Sequence, residues 1–206
     1  MGMKIISPSA ELVWITPNAA QVVEMAARKC YASEDQYDPA RTADFIDRVV
    51  NQKHHESVME HASACFDLTT DRGVMAELTR HRLASFSVQS TRYCSYNKSK
   101  FGSQIEVLEP PELTPDQEFL WVQSVEMAEK CYMQMLALGA QPQIARSVLP
   151  NSLATRMRVT ANLREWRHIF RLRTDKAAHP QIREIMEMAQ YTMARQVPEL
   201  FSVEAA

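Results

Sequence analysis

The segment from Arg80 to Arg92 concentrates side chains that bind anions. Its sequence, Arg-His-Arg-Leu-Ala-Ser-Phe-Ser-Val-Gln-Ser-Thr-Arg, contains three arginines, one histidine and several hydroxyl groups but no acidic residue. A guanidinium stays charged at every relevant pH and offers a planar fork of N–H donors that matches a phosphate. The segment therefore predicts a phosphate site. For an Arg-His-Arg triplet alone, a solvated basic helix end is the alternative interpretation.

Basic charge is concentrated in two blocks of the chain. Residues 80–100, the first basic block, hold five Lys or Arg and no acid, and residues 146–173, the second basic block, hold seven Arg and only Glu165 as an acid. If the fold brings the blocks together, they form a cationic cleft for anionic ligands. A module that grips the nucleic-acid backbone is the alternative function, and the formal net charge of −2 speaks against it.

The composition is that of an ordinary globular protein. The chain has 206 residues, of which 46% are hydrophobic, and we expect one domain covering residues 1–206. The longest apolar runs have four residues, so we expect no membrane span. The four cysteines form no Cys-x-x-Cys pair, which predicts reduced thiols in a cytoplasmic protein.

The pattern of apolar residues predicts an α+β fold in which a mostly antiparallel sheet is flanked by helices. Alternation predicts strands over 62–70 and 153–161, the second with arginines on one face, and a short strand over 11–15. Helices are predicted after Pro17, Pro39, Thr114, Asn162 and Pro180. A capping box of Thr114 and Gln117 should begin one of them, and Asn162 and Glu165 should be the N-cap and the third residue of another. The helix after Asn162 should bury Trp166, Ile169 and Phe170, and the last helix has apolar residues at helical spacing: Ile182, Ile185, Met186, Ala189 and Met193.

Three finer expectations concern the faces and ends of these elements. The first helix should bury one apolar face, composed of Val22, Met25, Ala26 and Cys30. The serine-rich segment after Arg82 is predicted to be a loop. Arg167 and Arg171 are expected to lie on a solvated helix face.

The segment His55-Glu-Ser-Val-Met-Glu-His61 combines two imidazoles with two carboxylates. A zinc helix of the metalloprotease type needs histidines four residues apart, whereas His55 and His61 are six apart and point in different directions on a helix. We therefore predict no metal ligand. A hydrogen-bonded structural network is the simpler alternative.

Taken together, these segments resemble a known enzyme family. One stretch resembles the defining motif of the flavin-dependent thymidylate synthases. It begins with Arg80-His81-Arg82, continues after seven further residues with Ser90, and ends after one more residue at Arg92. The His55–His61 segment and the second basic block are similar to other parts of that family. The resemblance implies reductive methylation of dUMP to dTMP. FAD is the implied hydride carrier, NADPH the reductant and 5,10-methylenetetrahydrofolate the carbon donor, which is released as tetrahydrofolate.

The resemblance also implies roles for individual residues. Nine residues are expected to contact the flavin: His55, Ser57, Arg80, His81, Arg82, Val88, Asn162, Arg164 and His168. Seven are expected to contact dUMP: Glu77, Arg80, Gln89, Ser90, Arg92, Arg146 and Arg173. Arg173 is the expected catalytic residue, because a guanidinium beside the pyrimidine stabilises negative charge on the ring without a covalent enzyme bond.

The same resemblance implies a homotetramer with active sites at subunit interfaces and without nucleic-acid or membrane partners. Several positions depart from the family pattern, among them Ser87, where asparagine is common, Val88 and Gln89, Glu77, and the region from Lys176 to His179. Val88 has no side-chain donor, so any ligand contact there would use its backbone, and Glu77 stands where glutamine is common. A flavin-binding homologue that has lost synthase activity is therefore the second alternative function.

Overall fold

Six β-strands and seven α-helices occur in the part of the chain that the computed structural model describes, residues 2–94, 96 and 102–201. The strands are β1 (Lys4–Ile5), β2 (Ser9–Ile15), β3 (Ser63–Asp71), β4 (Ser85–Val88), β5 (Glu106–Val107) and β6 (Ala154–Asn162). The helices are α1 (Ala19–Cys30), α2 (Thr42–Ile46), α3 (Arg72–Leu78), α4 (Pro115–Ala137), α5 (Pro142–Ala145), α6 (Leu163–Arg173) and α7 (Pro180–Gln196). Across these described residues, no helix combines the length and apolar content that a membrane span requires.

The main sheet has four strands in the order β2-β3-β6-β4, and β1 pairs in parallel with β5. Alternating apolar residues form β3, which buries Ala64, Phe66 and Leu68. On β6 the same alternation leaves Arg156 and Arg158 exposed, as predicted. The antiparallel sheet and its helices confirm the predicted α+β class.

Two compact units are distinguished within the chain. Unit 1 comprises residues 1–9, 69–80 and 87–157, and unit 2 comprises residues 10–68, 81–86 and 158–206. Strands β3 and β6 contribute residues to each unit. The expectation of one domain over residues 1–206 stays a prediction.

In unit 1, helix α4 packs over a core cluster that includes Val125 and Tyr132 on α4 and Leu153 before β6. The helix begins with the predicted capping box. Thr114 Oγ1 accepts from the Gln117 N–H at 3.4 Å, and Gln117 Oε1 accepts from the Thr114 N–H at 2.9 Å. These reciprocal bonds fix the start of the longest helix.

In unit 2, Trp166 fixes helix α6 against strand β3. Its indole Nε1 donates to the Ala64 carbonyl at 3.0 Å, and its ring packs edge-on against Phe66 with centroids 5.1 Å apart. Phe170, one turn later, stacks on Trp166 at 5.5 Å. This predicted apolar face sets the rotation of α6, and the other positions of the helix carry His168 and Arg173.

Two sequence expectations about secondary structure are wrong. The serine-rich segment forms strand β4 instead of a loop, because it pairs with β6, and the pairing continues where the Gln89 N–H donates to the Arg156 carbonyl at 2.9 Å. Tertiary pairing overrides the weak strand preference of serine here.

Helix α1 does not bury the face around Val22 and Met25. It buries Ala19, Val23, Glu24, Ala27 and Arg28, so that two charged residues lie on the core face.

The buried charges on α1 neutralise each other. Arg28 Nε and Nη2 both lie 2.7 Å from Glu24 Oε1, and the Arg28 guanidinium also stacks over the Phe45 ring, 4.5 Å from its centroid. Glu24 is fully buried and Arg28 is 8% exposed. A search for apolar residues at helical spacing misses a face of this kind, because two charged residues occupy positions on the core side of the helix.

Removal of Glu24 should therefore destabilise the fold strongly. We expect Glu24→Ala to lower the free energy of unfolding by about 3–5 kcal/mol, because the Arg28 charge would stay buried without its partner. Urea unfolding measures this change. The matched control is Glu34→Ala, which breaks the exposed ion pair with Lys29 and should leave the midpoint unchanged. Equal effects of the two variants would contradict the assignment of a buried pair on the core face.

Candidate functional site

A cavity of about 340 Å³ lies in unit 2 beside the start of helix α6. Its wall consists of residues from α1, the segment before β3 and α6: Ala27, Cys30, Tyr31, Val49, His54, His55, Glu56, Ser57, Val58 and Arg164. The Leu163 N–H donates to the Ala62 carbonyl at 2.8 Å and so ties the start of α6 to the end of that segment. Three of the predicted flavin contacts, His55, Ser57 and Arg164, therefore line one cavity.

Ion pairs hold the arginines around this cavity. Arg164 pairs with Glu60 at 2.5 Å, and both side chains are about half exposed. Arg167 donates to Glu56 at 3.1 Å, to Asn51 Oδ1 at 3.0 Å and to the carbonyl of Leu200. The expectation that Arg167 is solvated is wrong, because its guanidinium connects three segments of unit 2. Arg171 is exposed, as expected.

The donors of this cavity fit the flavin dinucleotide expected from the sequence. A guanidinium such as that of Arg164 can pair with a phosphate, and an imidazole and a hydroxyl, as in His55 and Ser57, can bond sugar or ring atoms. The cavity also lies in the volume range of small-molecule sites. The chemistry of these donors therefore agrees with the expected cofactor.

A second cluster in unit 2 centres on the imidazole of His81, which is 6% exposed. Arg173 Nε donates to His81 Nε2 at 3.0 Å. Glu165 Oε1 lies 3.5 Å from His81 Nδ1, and the His168 ring meets the His81 ring edge-on at 5.9 Å. Helix α6 carries three of these residues on successive turns, and His81 comes from the motif after α3. The structure thus brings the predicted residues His81, His168 and Arg173 together.

Burial keeps His81 uncharged. Burial, with smaller contributions from the nearby charges of Arg173 and His168, lowers the pKa of His81 to about 4. Because Nε2 accepts from Arg173, the single proton of the neutral ring must sit on Nδ1, the nitrogen that faces Glu165. Burial also raises the pKa of Glu165, and His168 opposes that shift.

His81, Glu165 and His168 could in principle hold a cation, because one ligand atom from each lies within 4.8 Å of the others. The Arg173 guanidinium, however, already donates to His81 Nε2 and places a positive charge beside the cluster. That charge would repel a metal ion. The geometry therefore favours a hydrogen-bonded network.

In unit 1, the two basic blocks meet at Thr91. Arg146 Nη1 donates to Thr91 Oγ1 at 3.1 Å, which brings the second basic block to the serine-rich motif. Ser90 Oγ accepts from the Arg92 N–H at 3.2 Å and forms a tight turn. Arg92 is exposed, with its guanidinium 5.6 Å from the centroid of Tyr93. Lys98 and Lys100 of the first basic block lie outside the described residues.

Gln89 offers an acceptor for a ligand at the same motif. Its Oε1 atom is buried, and in the part of the chain that the structure describes it has no hydrogen-bond partner. A buried amide oxygen without a donor carries a free-energy cost, which a ligand N–H could remove. Gln89 therefore fits its predicted role of contacting dUMP.

The other predicted ligand contacts lie on or near α3, β4 and α6. Arg80 and Arg82 are exposed just beyond the end of α3, while Glu77 on α3 and Val88 on β4 are half-buried. Asn162 Oδ1 accepts from the Glu165 N–H at 2.8 Å and so caps α6, as predicted. This side-chain oxygen already has a structural role.

Sequence reasoning missed Thr91 and the side-chain role of Glu165. Glu165 was expected only as the third residue of a capped helix. Its position as the single acid among seven arginines was a usable signal, because an isolated carboxylate in such a block is a candidate for a specific contact. Thr91 lies inside the motif but gave no separate signal.

The chain is similar to the proteins of one known family. Residues 11–199 match the family model described as "Thymidylate synthase complementing protein". The chain is 32% identical to the flavin-dependent thymidylate synthase of Mycolicibacterium vanbaalenii, in an alignment covering 95% of this chain and 84% of that protein. It is 33% identical to the probable flavin-dependent thymidylate synthase of Mycobacterium phage D29, over 82% of this chain and 76% of that protein.

Two solved structures have the same fold. The crystal structure of thymidylate synthase X from Helicobacter pylori with FAD and dUMP matches with a TM-score of 0.78 at 21% identity, over 95% of this chain and 98% of that chain. The UMP/dUMP methylase PolB from Streptomyces cacaoi, bound with 5-Br dUMP, matches with a TM-score of 0.79 at 27% identity, over 96% and 95%.

The depressed pKa of His81 predicts a loss of stability in acid. As the pH falls from about 6.5 to 4, the unfolded chain binds a proton that native His81 excludes, so the free energy of unfolding should fall by up to about 3 kcal/mol. Urea unfolding at several pH values measures this fall. His81→Gln has no titrating group at this position. The difference in the free energy of unfolding between this variant and the unsubstituted protein should therefore shrink as the pH falls toward 4. A constant difference across this range would contradict the prediction.

Proposed function

The chain belongs to the family of flavin-dependent thymidylate synthases, and on that premise we propose that it reductively methylates dUMP to dTMP with bound FAD. A methylene group comes from 5,10-methylenetetrahydrofolate, and NADPH supplies the hydride that completes the methyl group. The products are dTMP, tetrahydrofolate and NADP⁺. The relatives named flavin-dependent thymidylate synthase and the FAD and dUMP of the Helicobacter pylori structure support the proposal.

The contact between Arg173 and His81 carries the proposal for the chemistry. Methylation at C5 of uracil requires electron density on that carbon, and a guanidinium at the ring stabilises the negative charge that develops. His81 accepts from Arg173 Nε at 3.0 Å and so restricts the rotation of the guanidinium plane. Arg173 is therefore the proposed catalytic residue, and it needs no cysteine adduct.

The residues proposed to hold FAD lie mostly in unit 2. His55, Ser57 and Arg164 line the cavity, and His81 and His168 belong to the buried cluster. Arg80, Arg82, Val88 and Asn162 complete the proposed set. FAD, when bound, supplies the hydride carrier that NADPH reduces, while the protein orients it and excludes water.

The residues proposed to bind dUMP in unit 1 offer charges and hydrogen-bonding groups. Arg92 and Arg146 provide guanidiniums for the phosphate, and the contact of Arg146 with Thr91 fixes it at the motif. Gln89 Oε1 is a buried acceptor suited to the N3–H of uracil. Ser90, Arg80 and Glu77 complete the set in this unit, and Arg173 is a further proposed dUMP contact.

We also propose a homotetramer located in the cytoplasm, with active sites at subunit interfaces. The long helix α4 and the residue after it expose large apolar side chains, since Phe119 is 61%, Leu120 63% and Leu138 88% exposed. Such residues on a helix surface are suited to contact another subunit. Sedimentation analysis of the purified protein tests the number of subunits.

The direct test of the function uses the purified holoenzyme. We expect a flavin absorption spectrum that bleaches when NADPH is added without oxygen, and dTMP formation when dUMP and 5,10-methylenetetrahydrofolate are added. Bound flavin without dTMP would favour the homologue that has lost synthase activity. A colourless protein that binds nucleic acid with a steep salt dependence would favour the backbone-binding module.

Arg173→Ala should separate chemistry from cofactor binding. We expect the variant to keep its flavin spectrum but to lose about 100-fold or more of its kcat for dTMP formation, because the charge at the ring is gone. The matched control is Arg195→Ala, which removes an exposed arginine from α7 and should leave kcat unchanged. Full turnover in Arg173→Ala would remove the proposed activating role.

A further inference from the structure

Glu165 is a buried carboxylate that none of the proposed ligand contacts uses. The residue is only 7% exposed, and it lies in the first turn of α6, where its backbone N–H is already bound by the Asn162 cap. Burying a carboxylate is costly unless it accepts a hydrogen bond or pairs with a charge. Its carboxylate lies 3.5 Å from His81 Nδ1, and the His168 ring is also nearby.

Only one arrangement of protons satisfies both neighbours of His81. The guanidinium of Arg173 is always a donor, so the nitrogen that it contacts, Nε2, must be an acceptor. The proton of the neutral ring then sits on Nδ1, the nitrogen that lies 3.5 Å from Glu165 Oε1. This arrangement has the logic of a catalytic triad, in which a buried carboxylate selects the tautomer of a histidine.

We propose that Glu165 is a positioning residue that holds the His81 proton on Nδ1 and thereby keeps Nε2 available to anchor the Arg173 guanidinium. The inference rests on the proposed function only for the catalytic use of Arg173. Without an acceptor at Glu165, the Nδ1–H would be buried without a partner, which is unfavourable. The preference for the Nδ1–H tautomer would then rest on Arg173 alone and would weaken, and in the other tautomer Nε2 is a donor that cannot accept from Arg173.

Two variants of similar size separate positioning from packing. Glu165→Gln retains an acceptor oxygen and should keep kcat within a few-fold of the unsubstituted enzyme. Glu165→Leu removes the acceptor and should lower kcat by about ten- to a hundredfold, with a smaller change in the KM for dUMP. Glu187→Leu, at an exposed position on α7, is the matched control and should leave both constants unchanged.

Nitrogen NMR of the histidine rings tests the inference independently of turnover. In ¹⁵N-histidine-labelled holoenzyme, the His81 signal is identified by its loss in His81→Gln. We expect the Nδ1–H tautomer in the unsubstituted protein and in Glu165→Gln, and a shift toward Nε2–H in Glu165→Leu. Metal analysis of the same samples should find no stoichiometric metal.

Three results would overturn the inference. They are an Nε2–H tautomer in the unsubstituted protein, a Glu165→Leu variant with unchanged tautomer and kcat, and one bound metal ion per chain. A protein that forms no dTMP would instead contradict the proposed function. The NMR result would still decide whether Glu165 sets the tautomer of His81.

Discussion

A guanidinium held by a buried, uncharged imidazole is the interaction on which the account of this protein depends. His81 can accept from Arg173 only while it is neutral, and burial keeps it neutral by lowering its pKa to about 4. The same burial places the remaining ring proton opposite Glu165. The orientation of the positive charge on Arg173 is thereby fixed. Electrostatic stabilisation of a reacting ring requires a preorganised charge of this kind.

Packing elsewhere in unit 2 makes this arrangement possible. Trp166 and Phe170 fix the rotation of α6 through the indole bond to Ala64 and through ring stacking. With that face buried, Glu165 and Arg173 are carried on a helix whose rotation is already set. The start of α6 is fixed as well, because Asn162 caps it and it is tied to the segment that lines the cavity. Apolar burial thus determines where the charged groups can lie.

The sequence predicted the elements whose pattern is local and strong. Strands β3 and β6 alternate clearly, and α6 and α7 have regular apolar faces, so their buried sides were predicted correctly. Strand β4 was missed because its pairing with β6 comes from distant residues. The face of α1 was wrong because the Glu24–Arg28 ion pair occupies the core positions. In the site, motif spacing identified the arginines, but the roles of Glu165 and Arg167 depend on tertiary contacts that no local pattern encodes.

A crystal structure of the protein with FAD and dUMP bound tests the central claim most directly. The distances that matter join Arg173 to the pyrimidine oxygens and to His81 Nε2. The account predicts that the guanidinium lies within hydrogen-bond distance of the uracil ring while its Nε still donates to His81. An Arg173 side chain that points away from the nucleotide, or that has left His81 in the complex, would contradict it.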